Sequence, residues 1–287
     1  MYYLLFQYII RFHECFSERW LHFLYRINGL HHSRQMSKKY TIEICTYSAE
    51  SVKEAMRGGA DRCELCSAMP EGGCTPSAGE IWKARQVPNI KLMVMIRPRG
   101  GDFLYSPDEI EIMEHDIEIA KSLGADGVVF GCLTADGDID VAAMKKLMSH
   151  CEGLDVTCHR AFDMCRDPVK GLEDIISVGV NRVLTSGQKV RAFDGIPLLK
   201  KLVEQSKGRI IIMPGCGVNK TNIAEIVRET GATEIHFSAK TQIPSLMKYK
   251  NEDISMSGTA REIIIDEYSR EVTSPELVRL TRAKLTE

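Results

Sequence analysis

Residues 40–80 hold a strand, a helix and a second strand in close succession, and that order leaves few folds open. Tyr40–Cys45 is an extended apolar run, and Ala49–Arg57 has helical spacing. Gly58-Gly59-Ala60 stop the helix, and Asp61–Cys66 reads as the next strand. A helical crossover returns the chain to its starting edge, so the two strands run parallel. Each strand places a Glu two residues before a Cys: Glu43 with Cys45, and Glu64 with Cys66. Residues two apart in a strand share a face. The unit therefore gathers two carboxylates and two thiols on one side.

The alternation continues. Strands are expected at Lys91–Arg97, Asp126–Phe130, Leu154–His159, Asn181–Leu184, Arg209–Met213 and Thr233–Phe237. Helices follow at Pro107 to about Leu123, Asp140–Cys151, from Asp167-Pro168, Asp194–Ser206 and Asn219–Thr230. Eight β-then-α units in about 200 residues predict an α/β chain folded as a single TIM (β/α)8 barrel, with a doubly wound open sheet as the competing fold. The barrel domain is expected over residues 37–250. Residues 1–36 read as an extension outside the fold, aromatic and arginine-bearing, with a transit peptide as the alternative. Residues 251–287 read as a tail packed on the barrel, with a short strand Glu262–Asp266 and a helix after Ser274-Pro275-Glu276.

The 287 residues are 44% hydrophobic, enough for a packed core, and the formal net charge of −2 gives no reason to expect nucleic acid. No apolar run reaches the roughly 18 residues that span a bilayer, so no membrane partner is expected. Ten cysteines in a chain of this length are not a disulfide scaffold and suit a reducing, cytoplasmic setting. A homodimer is expected from the habits of barrels.

Parallel strands covered on both faces should be continuously apolar, so departures carry information. Taking the aliphatic parity as outward leaves Glu43, Cys45, Arg62, Glu64, Cys66, Met93, Met95, Arg97, Thr157, His159, Glu234, His236 and Ser238 facing the barrel interior. Charges there must pair or bind something. One reading is a salt-bridged ring, Glu64 with Arg62 or Arg97, that fills the barrel. The other is a ligand pocket at the C-terminal mouth, where barrel enzymes work.

Several strings together carry a resemblance. They are Arg62-Cys63-Glu64-Leu65-Cys66, Glu71-Gly72-Gly73-Cys74-Thr75-Pro76-Ser77, Met95–Phe103 with its Arg97-Pro98-Arg99-Gly100-Gly101-Asp102 core, Cys158–Asp163, Leu184–Gly187 and Met213–Asn219. In order and spacing this set resembles the CutC family of copper homeostasis proteins, over roughly Tyr40 to Ala239. It departs from the family pattern at Cys74 and Cys216, where Thr and Gly are expected. The resemblance implies a TIM barrel, a cytosolic setting and copper handling, with Asp102 and Asp163 at the rim of the site. Cuprous ion favours thiolate and thioether ligands. Cys45 and Cys66 end adjacent strands roughly 5 Å apart, so they are the expected Cu(I) ligands, with Met93 and Met95 nearby. Two buried thiols acting as small hydrophobes are the plainer alternative. The spacing of Cys63 and Cys66 is a weak metal motif, since residues three apart on a strand face opposite ways.

A second function stays open: an enzyme acting on a small phosphate-bearing molecule. Gly215 and Gly217 lie in a glycine-rich turn after the seventh strand, where barrels often bind phosphate, and Ser186 follows the sixth. Glu43, Glu64, Arg97 and His159 are the expected acid–base groups, beside His236. Arg97 and Arg99 could grip an anion as a forked pair.

Overall fold

The computed structural model describes residues 40–251, 253–254 and 266–286. The extension at 1–36 and most of the expected strand Glu262–Asp266 lie outside these residues, and Asp266 itself is irregular. Eight parallel strands form the sheet: β1 Thr41–Thr46, β2 Arg62–Leu65, β3 Lys91–Met95, β4 Gly127–Phe130, β5 Asp155–Cys158, β6 Arg182–Thr185, β7 Ile211–Pro214 and β8 Glu234–Phe237. Around them run α1 Ala49–Arg57, α2 Ala78–Arg85, α3 Pro107–Ser122, α4 Val141–Met148, α5 Pro168–Val178, α6 Ile196–Ser206 and α7 Ile223–Thr230. Strands pair in sequence order from β1 to β7, and β8 returns to pair with β1. β7 and β8 lie side by side without a paired register among the described residues, so the barrel is nearly closed.

Local chemistry fixes the helix starts. The Ser106 hydroxyl caps α3 and Glu109 reaches back to the Ser106 N–H, completing a capping box with Pro107 in the first turn. Asp167 caps α5 in the same way. α7 begins four residues later than the sequence suggests. Asn219 Oδ1 accepts from Thr221 N–H, and Asn222 Oδ1 from Asn219 N–H, so these side chains hold a turn in place of a helical one.

The expected strand parity holds. Ile42, Ile44, Cys63, Leu65, Leu92, Val94, Val156, Ile235 and Phe237 join the core between sheet and helices. Cys66, Met93, Met95 and Val129 form a separate apolar cluster inside the barrel. Cys63 and Cys66 thus face opposite ways.

Below that cluster lies a charged ring. Arg62 donates through Nε to Glu43 and through Nη2 to Glu234. Arg182 donates through Nε to the same Glu234 oxygen at 3.0 Å, through Nη1 to Thr157 Oγ1 at 3.3 Å and through Nη2 to Asp155 at 3.4 Å. Arg62 and Arg182 are 3% and 4% exposed and Glu43 is fully buried, so the pairs are sealed from water. Of the two readings of the interior, the ring exists, but it uses Glu43 and Glu234; Glu64 is not a partner of either arginine.

After β8 the chain forms β9 Lys240–Pro244, which pairs antiparallel with β10 Ser269–Thr273, and then α8 Pro275–Ala283. This hairpin has no counterpart in the sequence reading. α8 lies on α1: a Cβ on Gly58 would sit 2.6 Å from Val278 Cβ, so the approach requires glycine there.

Cys216 has φ +75°, a left-handed conformation that disfavours a β-carbon. Cys216→Gly should therefore stabilise the fold by about 1 kcal/mol, read as a raised urea midpoint. Arg62→Met should do the reverse. It leaves Glu43 and Glu234 short of a buried partner and should cost about 3–5 kcal/mol in the same measurement.

Candidate functional site

The strand ends open into a cavity of about 320 Å³ at the C-terminal mouth of the barrel. Its floor is built from β1, β2 and β8. Cys45, Glu64 and His236 line it, and Cys66 lies fully buried beside them. Register explains the gathering: Cys45 is level with Glu64, and Glu43 is level with both Arg62 and His236. His236 Nδ1 bonds Glu43 Oε1 at 2.8 Å, which aims Nε2 toward Glu64 Oε2 at 3.7 Å. The Cys66 thiol donates to Glu64 Oε2 at 3.6 Å, while Glu64 Oε1 is buried with no partner.

The electrostatics divide these groups. Burial would raise the Glu43 carboxyl, but the Arg62 guanidinium and then His236 overcome it and pull it down to about 2. Burial pushes the Glu64 carboxyl well above its usual range. Burial also opposes charge on His236, yet Glu64, Cys45 and Glu43 outweigh it and hold the imidazole well above its usual value. The Cys45 thiol is drawn well below the ordinary range, first by its neighbour Cys66 and then by His236. Cys66, through that same neighbour and its burial, moves up.

The opposite wall comes from the loops after β3, β5 and β7 and from Leu184 of β6. His159 is 4% exposed, and its ring lies 5.0 Å from that of Phe103. Nδ1 accepts from Ala161 N–H at 3.2 Å, so the neutral ring carries its hydrogen on Nε2, and that atom has no partner. Burial and the charge of Arg97 depress the His159 imidazole to about 3.

Arg97 lines the cavity, but its guanidinium is engaged with backbone. It donates to the carbonyls of Glu71 at 2.7 Å, Gly73 at 2.9 Å and Gly101 at 2.8 Å, and lies over the Phe103 ring. Arg99 points elsewhere, to Glu109, Asp102 and the Leu104 carbonyl. The two arginines therefore do not converge into a fork. The Ser186 hydroxyl is held by Asp163 at 3.0 Å and by the Lys189 carbonyl, away from the cavity lining. Asp163 also accepts from Thr185 Oγ1, Ser186 N–H and Gln188 N–H, so it organises the β6 loop. Gly215 packs tightly, since a Cβ there would lie 2.4 Å from Leu184 Cδ1, whereas Gly217 reaches the cavity. Tyr47, Phe103, Arg160, Cys216 and Lys240 also line it and are additional to the expected set. Arg182 is a further addition below; a charged residue opening a buried strand is the signal that marks it.

A His depressed in the folded state favours folding above its unfolded pKa of about 6.5 and loses that contribution toward pH 3. Below pH 6.5 the unfolded chain takes up a proton that the folded one refuses. Stability should therefore fall on acidification from pH 6.5 toward 3, by up to roughly 1.4 kcal/mol per pH unit from this group. His159→Gln should flatten that part of the melting-temperature profile.

Comparisons with known proteins agree along the barrel. The family model described as the CutC family matches residues 40–241. A CutC family protein of Bacteroides thetaiotaomicron is 60% identical over 242 residues, covering 84% of this chain and 96% of the relative. A human protein named copper homeostasis protein cutC homolog is 49% identical over 244 residues, covering 85% of this chain and 88% of the relative. A crystal structure of a CutC protein from Streptococcus agalactiae superposes with a TM-score of 0.67 at 35% identity, covering 69% of this chain and 98% of that one. With its barrel matched over that whole span, the chain belongs to the CutC family.

Proposed function

We propose that this protein acts in copper homeostasis by holding Cu(I) between Cys45 and Cys66 in the reducing cytoplasm. The naming of the human relative supports the copper part. The observation that carries the reading is the convergence of sulfur. The sulfurs of Cys45 and Cys66 and a Glu64 oxygen all lie within 4.8 Å of one another. Two metal–thiolate bonds of about 2.3 Å reach sulfurs up to about 4.6 Å apart, so one ion could bridge a pair this close.

The donor chemistry suits a soft ion. Cu(I) is satisfied by thiolates and thioethers, and Met93 and Met95 share an apolar cluster with Cys66, against which Cys45 packs. The Cys45 thiol is shifted toward the thiolate and Cys66 away from it, so binding would release protons and strengthen as the pH rises. A second cluster, Glu43, Glu64 and His236, is as compact but suits metal less well. There Glu43 is already committed to Arg62 and His236.

Replacing both Cys45 and Cys66 by Ser should weaken Cu(I) binding at least about a hundredfold in competition with a chromophoric Cu(I) chelator. Circular dichroism would establish that the variant is folded. Affinity equal to that of the parent protein would overturn the proposal.

A further inference from the structure

A copper ion bound between two sulfurs leaves most of the cavity unexplained. Its volume of about 320 Å³ corresponds to roughly ten waters at about 30 Å³ each, the scale of a small organic molecule. The wall opposite the thiols is furnished for one. Phe103, Leu184 and Val218 give it apolar surface. His159 lines the cavity, and its Nε2–H, itself buried, has no hydrogen-bond partner among the described residues. A hydrogen bond left unmade at such a site is unfavourable, and a ligand oxygen would supply the missing acceptor.

The loop after β7 supplies the second set of donors. Among the described residues, no hydrogen bond takes up the backbone N–H of Cys216, Gly217 or Val218. Their carbonyls are fixed on the other side: Ala192 N–H donates to Cys216 O at 3.0 Å, and the Asn219 and Asn222 amides donate to Gly217 O at 3.1 and 2.9 Å. In a trans peptide the N–H points opposite to the C=O. The Gly217 and Val218 N–H groups therefore turn away from those anchors, and Cys216, Gly217 and Val218 all line the cavity. Cys216 and Gly217 are both at positive φ, in a tight turn whose N–H groups no other described residue takes up. The charges of the lining agree: Arg97, Arg160 and Lys240 are present against one carboxyl, Glu64.

We propose that this cavity binds a small organic phosphate monoester, with its phosphate on the backbone N–H groups of Cys216–Val218 and a further oxygen on His159 Nε2–H. A phosphate has three terminal oxygens for that row of donors. The carbon skeleton lies along Phe103 and Leu184. The inference does not depend on copper, and its test is run on copper-free protein kept with a Cu(I) chelator.

The full chain, labelled with ¹⁵N, is titrated with glycerol 3-phosphate, ribose 5-phosphate and glucose 6-phosphate, and separately with glycerol, ribose and glucose. At least one ester should move the amide resonances of Gly217 and Val218 and saturate at millimolar concentration, while its parent alcohol leaves them in place. His159→Phe, which keeps a ring beside Phe103 but removes the donor, should weaken that binding about tenfold. The titration of the parent protein decides the matter if the variant does not fold. The proposal is overturned if no ester moves these amides, if the esters act only elsewhere, or if the alcohols bind equally well.

Discussion

Two guanidinium groups sealed inside a parallel barrel must meet carboxylates there, and the rest of this interior follows from how they do. Arg62 and Arg182 share Glu234, and Arg62 also holds Glu43. An uncompensated charge at that depth would cost several kcal/mol, so the ring tolerates little slippage between β1, β2, β6 and β8. A shift of one residue would send every member to the helix side of the sheet. Glu43 uses its other oxygen to orient His236, so the ring sets the floor above it. The two sulfurs come together because the charges one layer below fix the register.

The walls are made differently. Several loops at the mouth are pinned by polar side chains that hydrogen-bond backbone. Arg97 ties the segment after β2 to the segment after β3 through three carbonyls. Asp163 gathers the N–H groups of the β6 loop, and Asn219 with Asn222 shapes the β7 loop. Loops are ordinarily the mobile part of a barrel, and fixed loops let a cavity keep its form without a ligand. Arg97 has a second effect at a distance. Its charge helps keep His159 neutral, so that ring remains a hydrogen-bond donor and acceptor over the physiological range.

The barrel and the inward face of its strands were legible in the sequence because a strand covered on both sides has no use for polar residues unless they pair. Glu43, Glu64, Arg62, His159, Glu234 and His236 stood out for that reason. Partner choice was not legible. Whether Glu64 pairs with Arg62 or Arg97 depends on stagger between strands, and the answer is neither. Arg182 is marked by the same departure from apolar strands and belongs with the others. Arg97 and Arg99 look alike in a motif, two residues apart, yet one faces the mouth and the other Glu109, since both lie beyond the end of β3, where strand alternation no longer applies. The β9–β10 hairpin escaped because its strands are separated by more than twenty residues, and nothing local announces such a pairing. The glycine expected at position 216 has a reason in the backbone, since the cysteine there sits at positive φ.

The two thiols on the floor differ in depth. Cys45 is half-buried and touches the cavity; Cys66, 1% exposed, lies behind it. Anything arriving from solvent reaches one sulfur before the other. A soft ion entering by this barrel mouth would meet an outer handhold before an inner one, and would leave by the same order reversed.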